Sequence, residues 1–360
     1  MAYNILGINM GQHGSATLVS DGIPIYFLEE ERLSRKKRDS YPFKVILDVL
    51  SKYKINEVIL AGVGDQSPFL SNTGEDMFTS FIRKFTPQIK SSFISDQHHL
   101  THTTCAFYNS GFQEAIGIVI DGCGSRFTFK DLNIEADEAE SIFLCSYNEI
   151  KKIHGIYKNA LGPNIEKSEF TLQNTVNIAH AYEAITSYLG FAPMEGGKTM
   201  GLSSYSKKNK NIPNFIVNKK FNKNLFNFTT YIPNFQHPKL DSSLIKNFSN
   251  EDLAWKIQNE TQILIKEYIQ KAINKTGLKN IVCSGGYFLN CVANYYLTKE
   301  FPNINFYFEP ISHDGGISLG AALYRWYELN PNSKPYKQTT LYHGPQYSKE
   351  QLIEGIKKYV

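Results

Sequence analysis

Twice in its second half the chain runs from a short apolar stretch through paired glycines into a helical pattern. The two stretches are "KNIVCSGGYFLNCVANYYL" at 279–297 and "NINFYFEPISHDGGISLGAALYRWY" at 303–327. Buried strands that break at glycine and restart as helices predict an α/β fold, with turns at the carboxyl ends of strands that face a ligand. The first half is built in the same manner. "YNILGINM" reads as a strand, "SATLVSDGIPIYFLEEER" as a strand and hairpin, "PFKVILDVLSKY" as a helix and "NEVILAGV" as a buried strand. "EAIGIVIDGCGSR" adds a strand ending in a glycine turn, and "SIFLCSYNEIKKIHGIY" a second hairpin. "NIAHAYEAITSYLGF" is helical, and a long helix is expected over 250–277, capped by Asn250 and ended by Gly277. Segment 207–248 has little periodicity and reads as a surface insertion. No period of 20 to 50 residues is visible, which excludes a solenoid.

At 360 residues the chain has room for two domains or one large pseudo-repeated one. Its 38 basic and 34 acidic residues leave a net charge of only +4, so nucleic acid is not implied. The basic run "RLSRKKR" at 32–38 reads as a solvated loop. Five widely spaced cysteines without a C-x-x-C argue against a disulfide framework or zinc ribbon and favour a reducing, cytoplasmic setting. Asn9, Gln12 and His13 interrupt any apolar run near the start, so the opening reads as folded protein rather than signal peptide or membrane span.

The chemistry-bearing residues concentrate in a few places. "HHLTH" at 98–102 holds three of the nine histidines. On a helix His98 and His102 share a face and can reach one metal ion, while His99 points about 100° away. The alternative is a polar helix surface with one satisfied histidine. Asp121 in "VIDGCGS" and Asp314 in "SHDGGISLG" each end a strand before glycine. Either could complete a two-histidine, carboxylate set suited to a divalent metal such as Fe(II), or be an ordinary Asp-Gly turn. Gly285, Gly286, Gly315 and Gly316 stand where helices begin, where backbone amides can approach phosphate. "MEGGKTMGLSSY" adds Glu195 and Lys198 beside two more glycines.

"HHLTHTTCAFYNSGF", "IDGCGS", "EGGKTMGLSSY", "SGGYFLNCVAN" and "HDGGISLGAAL" occur in an order and spacing that resembles the NodU/TobZ family of O-carbamoyltransferases. "GINMGQHGSATLVSDG" followed by "EEERLSRKK" is similar to that family's first strands. The resemblance implies a two-lobed actin-like ATPase fold, similar to the universal tRNA threonylcarbamoyladenosine transferase. Its lobes would span 1–170 and 171–344, and 345–360 would be a linker or the truncated start of a YrdC-like domain. It implies an enzyme that moves a carbamoyl group from carbamoyl-adenylate, made from carbamoyl phosphate and ATP in a YrdC-like domain or partner, to a hydroxyl of a small-molecule acceptor. Carried over by position, His98, His102, Asp121 and Asp314 would hold the metal. Gly285, Gly286, Asn290, Gly315 and Gly316 would line the ATP or AMP phosphates with Glu195 and Lys198 nearby. His13 and His99 would face the carbamoyl group or acceptor. Two positions depart from the family: His313 precedes Asp314 in place of a small residue, and position 101 is Thr. A tRNA-modifying transferase and a non-catalytic nucleotide-binding module are the alternative readings.

Overall fold

The computed structural model describes residues 2–61, 76–94, 97–159, 162–232, 235–334, 336–343 and 347–358. Its strands form two large sheets. The first contains β1 (Asn4–Asn9), β2 (Ser15–Ser20), β3 (Ile23–Glu29), β4 (Glu57–Leu60) and β5 (Lys90–Phe93), in the order β3-β2-β1-β4-β5. β1 and β2 are antiparallel, whereas β4 and β5 continue parallel to β1. The second contains β6 (Glu114–Ile120), β7 (Arg126–Phe129), β8 (Ile134–Ser146), β9 (Ile150–Lys158), β10 (Ile165–Glu166) and β11 (Phe170–Gln173). Two short hairpins follow, β12 (Ile216–Val217) with β13 (Lys220–Phe221) and β14 (Phe226–Ile232) with β15 (Phe235–Leu240). The second sheet then resumes with β16 (Asn280–Ser284) and β17 (Asn305–Phe308), which run parallel beside β6. The division expected near residue 170 falls at the first residue of β11, within a sheet whose strands come from both sides of it.

The helices are α1 (Glu31–Ser34), α2 (Phe43–Lys52), α3 (Met77–Arg83), α4 (His98–Ser110), α5 (Ile178–Tyr188), α6 (Gly196–Leu202), α7 (Asn250–Thr276), α8 (Cys291–Glu300), α9 (Ile317–Leu329) and α10 (Lys349–Lys357). Strand periodicity sorts them into layers. Along β1, Leu6 and Ile8 pack outward against α2 and α3 through Val45, Ile46, Val49, Phe78 and Ile82. Ile5 points inward, to a core shared with α4 and α9. Along β6, Ala115 and Val119 face that same inner core, and Ile116, Ile118 and Ile120 face α5 and α7 on the far side. Central strands buried on both faces are apolar without interruption, which is why they stand out in the sequence.

Helices α4 and α9 lie between the sheets, α9 against β1 and β2, and α4 against β6 and β16. Their close approach depends on two missing side chains. A Cβ at Gly320 would sit 2.0 Å from the Thr101 carbonyl oxygen, and one at Gly7 would sit 2.0 Å from that of Ser318. The stack therefore fixes the first turns of α4 and α9 beside the carboxyl ends of β1, β6 and β16. No described helix is long and apolar enough to cross a membrane.

Two sequence expectations change. The cap of α7 is Ser249, whose side chain accepts the Asp252 N–H, and Asn250 is the first helical residue. Segment 207–248 is not merely surface: Ile212, Phe215, Phe221, Leu225, Phe226 and Ile245 are buried in the core beneath α5 and α7. The boundary expected at 344 and 345 lies outside the described residues.

Candidate active site

The first turn of α4 has no cap of its own, because the Gln97 side chain makes no capping bond. Its exposed amides are met from elsewhere. Ser125 Oγ accepts the His98 N–H at 3.1 Å, and Glu138 Oε2 accepts the His99 N–H at 3.4 Å. Every residue of α4 is buried. Held in this way, His98 and His102 bring their Nε2 atoms within 3.1 Å of each other. Asp121, one residue beyond β6, places Oδ2 3.3 Å from His98 Nε2 and 3.9 Å from His102 Nε2. Asp314, in the turn before α9, places Oδ1 3.6 and 3.5 Å from the same two nitrogens.

All four donor atoms lie within 4.8 Å of one another. Ligands about 2.1 Å from a shared cation are separated by about 3 to 3.5 Å, the spacing that three of the five quoted contacts meet and the other two slightly exceed. The outer contacts suit that use. Gly286 N–H donates to Asp121 Oδ1 at 2.9 Å, and Ser284 Oγ is 3.2 Å from His102 Nδ1, as expected of groups that orient ligands. Asn177 Nδ2 donates to the carbonyls of Asp121 and Gly122, and buried Lys158 donates to the latter, so this Asp-Gly is a braced strand end rather than a hairpin turn. Burial would depress His98, but its bond to Asp121 and the charge of Asp314 outweigh it and push its pKa up to about 9. Burial would raise Asp121, yet His98 and His102 hold it far below the usual carboxylate range. The cluster favours positive charge at its centre.

His99 does not face this cluster. The 100° step of the helix turns it into the second sheet, where Nδ1 lies 2.8 Å from Ser141 Oγ and the ring rests on Gly124. It is fully buried, Nε2 has no hydrogen-bond partner among the described residues, and burial lowers its pKa to about 3, which keeps it neutral. His99, expected to face the carbamoyl group or acceptor, packs into the second sheet on a different face of α4 from His98 and His102.

His13 stands beside this cluster in company that the sequence did not reveal. Its Nδ1 is 3.2 Å from Glu29 Oε2 at the end of β3. Glu29 Oε1 is in turn 3.4 Å from His313 Nε2, and the two imidazole rings are 4.5 Å apart. Glu29 and His313 come from distant segments, and no local spacing marks either as a partner of His13. Asn9 at the end of β1 ties this group to the first, since its Nδ2 donates to the carbonyls of both His13 and Asp314.

The glycines divide by role. Gly285, with φ +96°, and Gly316 are needed because a Cβ would strike the carbonyl oxygens of Ile120 (2.4 Å) and Ile311 (2.0 Å), which is packing within the fold. The amides of Gly286 and Gly315 instead orient Asp121 and His313. Asn290 caps α8 through the Ala293 N–H and bonds to Gln258, so its amide is engaged by the fold. Glu195 and Lys198 form an exposed pair 2.7 Å apart at the start of α6. Contact between Gln12 and Met194 sets that end of α6 opposite the His13 loop.

The family profile described as Carbamoyltransferase N-terminus matches residues 43–323. The chain belongs to that family. This carbamoyltransferase domain is 23% identical over 371 residues to the nodulation protein NolNO of Sinorhizobium fredii, covering 95% of this chain and 50% of that protein. It is 28% identical over 328 residues to the uncharacterized protein MJ1051 of Methanocaldococcus jannaschii, covering 89% and 56%. Among solved structures, full-length HypF in a phosphate- and nucleotide-bound form superimposes with a TM-score of 0.55 at 14% identity, over 93% of this chain and 47% of that one. The carbamoyltransferase domain therefore has the actin-like α/β fold, and it spans about half the length of the curated relatives it matches.

Proposed function

We propose that this domain performs the transfer half of an O-carbamoylation, moving a carbamoyl group from carbamoyl-adenylate to a hydroxyl of a small-molecule acceptor. The observation that carries the reading is the buried convergence of His98, His102, Asp121 and Asp314 at the strand ends of a carbamoyltransferase family domain. These four residues would hold a divalent metal, Fe(II) or a substitute, which as a Lewis acid would polarise the carbamoyl carbonyl. The chain's own residues supply the rest. His13, at the cleft, takes the proton of the acceptor hydroxyl. The N-terminal ends of α4 and α9, whose dipoles are positive beside the cluster, favour the negative charge of the departing AMP, and Lys198 adds a positive charge nearby. Carbamoyl phosphate and ATP would be consumed by a YrdC-like domain or protein, which supplies the adenylate.

The test is an acceptor assay with this chain, carbamoyl phosphate, ATP and an added YrdC-like protein, run beside the chain alone. Carbamate ester should form only with both proteins present, and AMP should appear in equal amount. Release of pyrophosphate and phosphate by the chain alone would contradict this division of labour. Failure to form any ester across a panel of hydroxyl-bearing sugars, antibiotics and nucleosides would count against O-carbamoylation.

A further inference from the structure

The group His13–Glu29–His313 has the composition of a second metal site, since its donor atoms also lie within 4.8 Å of one another. Its hydrogen bonding excludes that use. Gly315 N–H lies 3.0 Å from His313 Nδ1, and a backbone amide can only donate, so Nδ1 carries no proton. With Nδ1 bare, the ring's proton sits on Nε2, the atom facing Glu29. A protonated Nε2 has no lone pair for a cation. Glu29 is ionised: burial would raise it, but the bond from His13 and the neighbouring His313 bring it below its ordinary range. An ionised carboxylate can only accept, so the 3.2 Å contact with His13 must be a bond from Nδ1–H. Each oxygen of Glu29 thus meets one imidazole N–H.

We infer that Glu29 and His313 are positioning residues that lock His13 in the tautomer with its proton on Nδ1, leaving Nε2 bare as the proton acceptor for the transfer reaction. Three further features agree. His13 Nε2 has no hydrogen-bond partner among the described residues, and the side chain keeps 24% of its surface exposed, enough for an acceptor to reach it. The His13 backbone is left-handed at φ 59°, a conformation that costs a non-glycine residue energy and that persists where the surroundings enforce it. Here Asn9 Nδ2 holds the His13 carbonyl at 3.1 Å and the Gly14 amide is bonded to Asp39. In a neutral histidine the partner of one nitrogen decides the state of the other, and Glu29 is that partner.

The inference deepens the proposed function and rests on its assignment of His13 as base. In the step, the acceptor oxygen forms its bond to the carbamoyl carbon while its proton passes to His13 Nε2. The bond from that carbon to the phosphate oxygen breaks, and AMP leaves with the electron pair. The resulting imidazolium keeps its Nδ1–H on Glu29, whose charge stabilises it, and the added proton is later lost to water.

Nitrogen-15 NMR of the imidazole rings in the histidine-labelled full chain tests the tautomer without any turnover, with His13→Gln used to assign the signal. The expected result is a His13 ring protonated at Nδ1 and bare at Nε2. A Glu29→Ala variant should move the proton to Nε2 in part or wholly, with kcat for carbamoyl transfer down roughly 10- to 100-fold and KM for the acceptor little changed. A His313→Asn variant, whose amide oxygen can still cap Gly315, should give a smaller shift in the same direction. Wild-type His13 found with its proton on Nε2 would overturn the inference even if Glu29→Ala failed to fold. If wild-type protein shows the expected tautomer but no acceptor is ever carbamoylated, the proposed function fails and the positioning role stands.

Discussion

Two groups of histidine and carboxylate stand side by side at the carboxyl ends of the strands, joined through Asn9, and they are wired in opposite ways. In the first, the nitrogens of His98 and His102 and the oxygens of Asp121 and Asp314 converge, with two bare-capable nitrogens 3.1 Å apart. Such an arrangement is stable only with a positive charge at its centre, whether proton or cation. In the second, donors and acceptors alternate from the Gly315 amide through His313 and Glu29 to His13. On the proposed reading the same residue types prepare one place for a cation and another for a proton, and what separates them is the outer hydrogen bond of each ring.

The largest expected effect separates the two directly. Replacing His98 and His102 together by Ala should remove the bound divalent cation from about one per chain to background by elemental analysis. Transfer should fall about 10³-fold or more, the scale of several kcal/mol of lost charge stabilisation. His13→Ala should impair transfer while retaining the full cation content. Loss of the cation from His13→Ala would break the comparison.

A third carboxylate sharpens it. Glu309, just beyond β17, is buried like Glu29 but meets the neutral groups Asn109, Tyr307 and the Ile311 amide in place of imidazoles. Burial pushes its pKa up from 4.5 to about 7, only partly offset by those bonds. Because the folded state holds this proton more tightly than the unfolded chain, its contribution to stability is complete below about pH 4.5 and is lost as pH rises through about 7. Denaturant unfolding at a series of pH values should show that loss, roughly 3 kcal/mol, in the wild type and not in Glu309→Gln. An unchanged pH profile in the variant would mean that burial does not dominate at Glu309.

A smaller effect is expected at Ser284, which contacts His102 Nδ1. Ser284→Ala should weaken cation affinity about 10- to 100-fold in a chelator competition and leave the His13 tautomer unchanged. Equal affinity in the variant would remove Ser284 from the account of the first group.

Much of this was legible before the structure. The inner strands are apolar on both faces and bounded by glycine, so β1, β4, β6 and β16 announce themselves. The i, i+4 spacing of His98 and His102 follows from helix geometry, and Asp121 is conspicuous as a carboxylate just past an apolar strand before glycine, whereas Asp314, expected at a strand end, lies beyond β17 in the turn that opens α9. What was hidden depends on tertiary contacts. Whether His99 turns toward the cleft or the second sheet is decided by which face of α4 meets β8, and nothing within "HHLTH" states that. Glu29 looks like one more acidic residue in "EEER" until the pairing of β2 with β3 carries it beside the His13 loop. The buried aromatics of segment 207–248 follow no strand or helix period, so burial there was not readable from spacing.

The most direct test is a crystal of the full chain soaked in manganese(II) and measured for anomalous scattering. The account predicts one peak, enclosed by His98, His102, Asp121 and Asp314, and no peak among His13, Glu29 and His313. A peak in the second group, or none in the first, would contradict it.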